Sequence, residues 1–145
     1  MEKEFVPYEL AVKLKELGFN EPCFGFYLED GTWTPASYSR KGIVYPSNTD
    51  LLPGWYTALL FQQAFRWIRE KYNIQGYIYS STVRGNSEKT KQFTGYIWNI
   101  NGIDMPFLST DARDELHDTY EEAELACLTK LIEIVEQNKN YEEIN

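Results

Sequence analysis

Six residues in the last third of the chain set carboxylates beside its only imidazole: Asp104, Asp111, Asp114, Glu115, His117 and Asp118. Oxygen ligands of this kind suit a hard divalent cation, and a nearby histidine extends the choice towards transition metals. Their spacing matches neither an EF-hand loop nor an HExxH helix. Charge runs are usually solvated, so the stretch reads as a hydrated loop leading into the next helix. No metal and no other cofactor is expected. Other chemistry finds less support. Ser80 and Ser81 lie outside any G-x-S-x-G elbow, and His117 is the one imidazole available as a base. Cys23 with His117 is a pairing that no motif supports. Glu29 and Asp30 form one carboxylate pair, but 22 acids offer too many pairs to select a general acid and base. No P-loop and no GxGxxG occurs. These residues favour a protein without catalysis.

A second pattern points to binding. Segments 74–83 and 92–100 read as two antiparallel strands rich in Tyr, Thr, Ile and Trp, joined by the polar tip RGNSEKTK. In the first strand Tyr77 and Tyr79 point opposite to Ile78. In the second, Thr94, Tyr96, Trp98 and Ile100 point opposite to Phe93, Gly95 and Ile97. With helices on the Ile78 and Ile97 face, Tyr77, Tyr79, Tyr96 and Trp98 would form an aromatic outer surface, a stacking platform or a protein interface. Arg84, Lys89 and Lys91 at the tip add positive charge that could receive a phosphate or carboxylate. The candidate binding residues are therefore Tyr77, Tyr79, Tyr96, Trp98, Arg84 and Lys91. The ordinary alternative turns these rings towards the helices, or covers them with the aromatic loop 36–56.

Three helices must position this sheet. Residues 7–17 form the first, with Pro7 suited to the opening turn and Leu10, Ala11, Leu14 and Leu17 as the buried stripe. Gly18 and Phe19 predict a Schellman stop with Phe19 against Leu14. Residues 59–73 form the amphipathic central helix, with Leu60, Ala64, Trp67 and Ile68 on one face. Asn73 closes it in the left-handed conformation. Residues 119–137 form the last, opened by a Thr119/Glu122 capping box and carrying Ala123, Cys127, Leu128, Leu131, Ile134 and Val135 inward. Residues 22–28 alternate as a strand, Glu29-Asp30-Gly31 turns, and 32–35 returns as a short strand that Pro35 confines to an edge. Segment 36–54 reads as irregular, and 105–118 as an acidic connection without period. The order is α-β-(β)-α-β-β-α, an α+β fold with a small antiparallel sheet of 3–4 strands and three helices. A single domain over 1–138 and a polar tail over 139–145 are expected.

Composition narrows the class. The chain has 145 residues, 43% hydrophobic and 16% aromatic, which excludes a disordered polymer. With 14 basic and 22 acidic residues it carries a net charge of −8, which repels duplex nucleic acid and anionic membrane surfaces. Cys23 and Cys127 give neither a disulfide framework nor a zinc motif. The MEKEFVPYEL start lacks a signal-peptide pattern, and no apolar run approaches the roughly 20 residues of a membrane span. A soluble, reduced, intracellular protein is expected.

Three blocks carry a resemblance: Leu-Gly-Phe-Asn-Glu-Pro-Cys ending 7–23, Trp-Ile-Arg-Glu-Lys-Tyr-Asn-Ile within 60–78, and Thr-Tyr-Glu-Glu-Ala-Glu-Leu-Ala-Cys-Leu opening 119–135. Together they resemble a family of small proteins encoded by phages, prophages and mobile elements of gut Bacteroidales-type bacteria. The resemblance implies an accessory protein in the cytoplasm of a bacterial host, meeting a host or phage protein; it implies no reaction and no site residues. The chain departs from the family where Pro-Thr precedes the central helix, since Leu59-Leu60 stands there; an earlier start capped by Thr57 is the expectation. The expected function is a non-catalytic module that binds a host or phage protein, or its own copy as a homodimer, through the aromatic sheet face. The alternative is a sequestrator of a small, phosphate-bearing ligand or a small metal-dependent hydrolase.

Overall fold

The structure, a computed structural model, describes residues 2–83, 93–102, 105–109 and 116–144. It is an α+β fold of three helices and small antiparallel sheets. Its contacts gather into two compact units, Met1–Trp67 and Ile68–Asn145. The boundary falls within the central helix.

In the first unit, helix α1 (Tyr8–Glu16) follows Pro7 and ends in the predicted Schellman motif. Phe19 N–H donates to the Leu14 carbonyl and Gly18 N–H to that of Lys15, each at 2.9 Å. Gly18 adopts a φ of 96°, which its missing Cβ permits. Strands β1 (Gly25–Tyr27), β2 (Trp33–Pro35) and β5 (Tyr56–Ala58) form one sheet in the order β2-β1-β5, so Pro35 lies on an edge as its missing donor requires. The register aligns Tyr27 with Trp33 and Tyr56, and α1 packs on that face. The Tyr8 ring meets those of Tyr27 and Tyr56 edge-on at 5.8 and 5.6 Å. Tyr27 hydroxyl donates to the Val6 carbonyl at 2.8 Å, so the polar end of this buried ring is satisfied.

The central helix α2 (Phe61–Tyr72) starts later than expected. Thr57 does not cap it. Thr57 belongs to β5, and Leu59 continues in extended form so that its carbonyl accepts Val6 N–H at 2.9 Å. Asn73 closes α2 at φ 59° with its N–H on the Arg69 carbonyl, as the sequence predicts.

In the second unit, β6 (Ile74–Val83), β7 (Phe93–Gly102) and β8 (Met105–Ser109) form an antiparallel sheet in that order. The long hairpin matches the expectation, whereas β8 lies where the sequence predicts an acidic connection without period. Pro106 hides its strand character, and an edge position is where a proline is tolerated. Helix α3 (Tyr120–Ile144) packs against β6 and β7 and continues through the expected polar tail to Ile144. Half of the predicted capping box forms. Glu122 N–H donates to Thr119 Oγ1 at 3.2 Å, while the Glu122 carboxylate accepts from Asp118 N–H rather than from Thr119. Every residue of the predicted inner stripe of α3 is buried.

Both cysteines are free and buried. Loss of hydration pushes the Cys23 thiol up to about 11, against weaker opposing hydrogen bonds from Thr57 and Gln63. Loss of hydration, helped by the Glu124 carboxylate, pushes Cys127 up to about 12. Folding therefore favours the neutral thiols. That advantage is complete below the ordinary thiol value of 9.0 and is lost as pH climbs through the folded-state values. Stability measured by urea unfolding should hold near neutrality and decline from about pH 9 upwards, and a disulfide thiol reagent at pH 8 should label both cysteines only after denaturation. Rapid labelling of the native protein would contradict this burial.

Candidate binding surface

The segment 36–54 contains more order than its glycines and prolines suggest. Its foundation is a short 3-10 turn, Asn48–Asp50, preceded by Ser47. The Asp50 carboxylate accepts from Ser47 N–H at 2.9 Å and from Ser47 Oγ at 2.7 Å, and these bonds hold its carboxyl below the usual range. Asn20 and Thr49 exchange two bonds, Thr49 N–H to Asn20 Oδ1 at 2.9 Å and Asn20 Nδ2 to Thr49 Oγ1 at 3.2 Å. The turn thereby presents Asn48 inward. Buried, Asn48 donates from Nδ2 to the Phe19 carbonyl at 2.8 Å and accepts at Oδ1 from Thr57 N–H at 3.0 Å. One side chain joins the Schellman stop of α1 to the middle of β5.

From this base a two-stranded hairpin projects, β3 (Tyr38–Ser39) and β4 (Gly42–Ile43). Its two arms are clamped on consecutive residues. Ala36 N–H donates to the Phe24 carbonyl at 2.8 Å, and Cys23 N–H donates to the Pro46 carbonyl at 3.0 Å. Beyond the clamp Val44 N–H meets the Ser37 carbonyl, and Tyr38 stands directly across from Ile43. The reversal falls on Gly42, at φ 113°, so Arg40 and Lys41 keep ordinary backbone and occupy the tip.

Residues 37–45 are exposed without interruption. Tyr38 is 83% accessible, Ile43, Val44 and Tyr45 are exposed beside it, and Phe24 meets Tyr45 edge-on at 5.4 Å. Residues 31–49 contain no Asp or Glu, so Arg40 and Lys41 make this a positive, apolar projection on a chain of net charge −8.

The expected sheet surface is divided by the register. Ile78 pairs with Trp98, Ser80 with Tyr96 and Gly76 with Ile100, while Tyr77 pairs with Asn99 and Tyr79 with Ile97. Directly paired residues share a face. Tyr96 and Trp98 therefore stand with Ile78 on the side covered by α3, where the Tyr96 ring meets that of Tyr120 at 5.9 Å and Trp98 is 9% accessible. Tyr77 and Tyr79 stand on the other side with Ile97, exposed at 47% and 43%. Tyr79 hydroxyl accepts from Asn99 Nδ2 at 3.0 Å, and Tyr77 hydroxyl donates to Gln75 Oε1. The four-ring platform thus reduces to two tyrosines. Arg84, Lys89 and Lys91 lie outside the described residues, as do Asp104, Asp111, Asp114 and Glu115. His117 bridges to Tyr96 through two backbone hydrogen bonds of 2.9 Å. Cys23, with its neutral buried thiol bonded to Gln63 Oε1, is not a ready nucleophile.

No family model matches the chain, and the curated proteins and the solved structures hold no match to it.

The hairpin was missed in sequence because two paired residues per strand fall below any periodic signal. Its trace was a run without acids, tipped by Arg-Lys-Gly and flanked by tyrosines. Asn48→Ala should strand the Phe19 carbonyl and Thr57 N–H in the interior, each costing about 1–3 kcal/mol. Chemical denaturation should show a loss of about 3 kcal/mol or more. A loss within a few tenths of a kcal/mol would mean that Asn48 does not anchor the segment.

Proposed function

We propose that this chain is a non-catalytic binding module whose principal surface is the projecting hairpin at 37–45. The observation that carries this reading is the unbroken exposure of Tyr38, Ile43, Val44 and Tyr45 around a tip that bears only positive charge. An isolated two-stranded hairpin is marginal in water, and its outer strand edges offer unpaired backbone groups. Clamping such a hairpin at its base while leaving its rings in solvent costs stability that a purely structural loop has no reason to sacrifice. A partner that covers Tyr38 and Ile43 would complete it, with tyrosine and arginine as the side chains best suited to anchor an interface. Tyr77 and Tyr79 form a smaller second surface of the same kind.

A polypeptide is the partner this surface favours. Two cations on a chain of net charge −8 are too few to gather a phosphate backbone against the general repulsion. The resemblance of blocks 7–23, 60–78 and 119–135 supports an accessory protein of a phage or mobile element, working in the cytoplasm of a bacterial host on a host or phage protein or on its own copy. Among the described residues no helix is long and apolar enough to cross a membrane.

A photoreactive benzophenone amino acid in place of Tyr38 tests the reading in expressing bacteria, with the same group in place of exposed Glu16 on α1 as control. Illumination should give a discrete adduct with one protein from position 38 and none of that mass from position 16. Equal, diffuse labelling from both positions would overturn the hairpin as a binding surface.

A further inference from the structure

A row of rings leads away from the hairpin along the first sheet. Phe24 and Phe26 alternate with Cys23, Gly25 and Tyr27, so they lie on the face opposite to the one where Tyr27 meets Tyr8 of α1. Tyr45 meets Phe24 edge-on at 5.4 Å, and Trp55 stacks on Phe26 at 5.3 Å with the ring planes 14° apart. Phe24 is 55% exposed and Tyr45 is exposed beside it, while Phe26 and Trp55 are half-buried. The row thus runs from the base of the hairpin into the sheet, and none of its four residues is buried. Contiguous apolar strips are seldom left to water unless another molecule covers them.

The two ends of the row differ in charge. Arg40 and Lys41 stand at the tip of the hairpin whose second arm leads to Tyr45, and no acid occurs between 31 and 49. At the other end Glu29 approaches Gly54, the neighbour of Trp55. A Cβ added to Gly54 would lie 3.4 Å from the carboxyl carbon of Glu29. The spacing of the rings also selects an occupant. Phe24 and Phe26 are two strand residues apart, about 7 Å, which is the interval between alternate side chains of any extended polypeptide. An extended segment can therefore set successive side chains of one face against successive rings. Its carboxylates are drawn to Arg40 and Lys41 and repelled by Glu29. A nucleic-acid strand, charged at every phosphate, would meet Glu29 as well as the tip.

Resting on the binding reading above, we propose that the hairpin and this row hold one extended acidic segment of a partner protein. Its carboxylates lie at the Arg40 and Lys41 end, and its apolar side chains lie on Phe24, Phe26 and Trp55. The rings supply the burial that gives strength, and the charges fix the direction in which the segment runs. Binding weakens as salt rises.

Random dodecapeptides displayed on phage and selected on the full chain provide the test. Selected peptides should concentrate Asp and Glu in one half and aromatic or branched aliphatic residues in the other. Fluorescence anisotropy of one such labelled peptide should show binding weakened tenfold or more by Arg40→Glu with Lys41→Glu, and separately by Phe24→Ser. The same peptide with its acids changed to Lys should lose the native chain and bind the charge-reversed one. All three positions are exposed, so circular dichroism should show both variants folded. A selection that returns no peptide or only basic and uncharged ones would overturn the inference, as would affinity that ignores the reversal at 40 and 41. So would an oligothymidylate that displaces the peptide and binds more tightly. A single protein adduct from position 38 whose attached stretch lacks acids would overturn the acidic segment alone and leave the binding reading standing.

Discussion

The buried amide of Asn48 is the constraint on which the binding surface depends. Its two hydrogen bonds, to the Phe19 carbonyl and from Thr57 N–H, join the end of α1 to the middle of β5. Around it, the Ser47–Asp50 and Asn20–Thr49 bonds satisfy the polar groups of a turn that would otherwise resist burial. With that base settled, the backbone clamps at Cys23 and Phe24 release a hairpin whose Tyr38 side chain stays in solvent. A polar interior junction thus permits an apolar exterior. An aliphatic side chain at 48 could fill the space but would leave a donor and an acceptor unpaired, the more expensive outcome.

What the sequence made legible follows the range of the interactions involved. The Schellman stop at Gly18 and Phe19, the left-handed Asn73 and the Thr119 cap each depend on a few adjacent residues, and each is present in the structure. The α+β class follows from the same local signals. Register is a long-range property. Residues 84–92 separate the two long strands, and a slip of one residue there exchanges the faces. The pairing of Ile78 with Trp98 moved Tyr96 and Trp98 inward and left Tyr77 and Tyr79 outside. Strand β5 was hidden for a related reason. Tyr56–Ala58 is only three residues long, and its place beside β1 is decided by tertiary pairing that outweighs the cap-forming preference of Thr57. The sequence made half of the sheet surface legible, and none of the hairpin.

Charge is distributed unevenly enough to matter. A chain with 22 acidic residues keeps all of them out of positions 31–49, while the end of its longest helix keeps carboxylates where its own dipole disfavours them. The run without acids also holds Tyr38, which at 83% is among the most accessible large hydrophobic side chains of the described residues. Burial of those groups supplies the attraction, and the charges select which surfaces pair.

The most direct measurement is the amide proton–nitrogen NMR spectrum of the native chain compared with that of Asn48→Ala. Resonances of residues 37–45 should move and lose their dispersion in the variant, while those of β6, β7 and α3 stay fixed. A hairpin whose resonances keep their native positions without the Asn48 amide would contradict the dependence of this surface on that side chain.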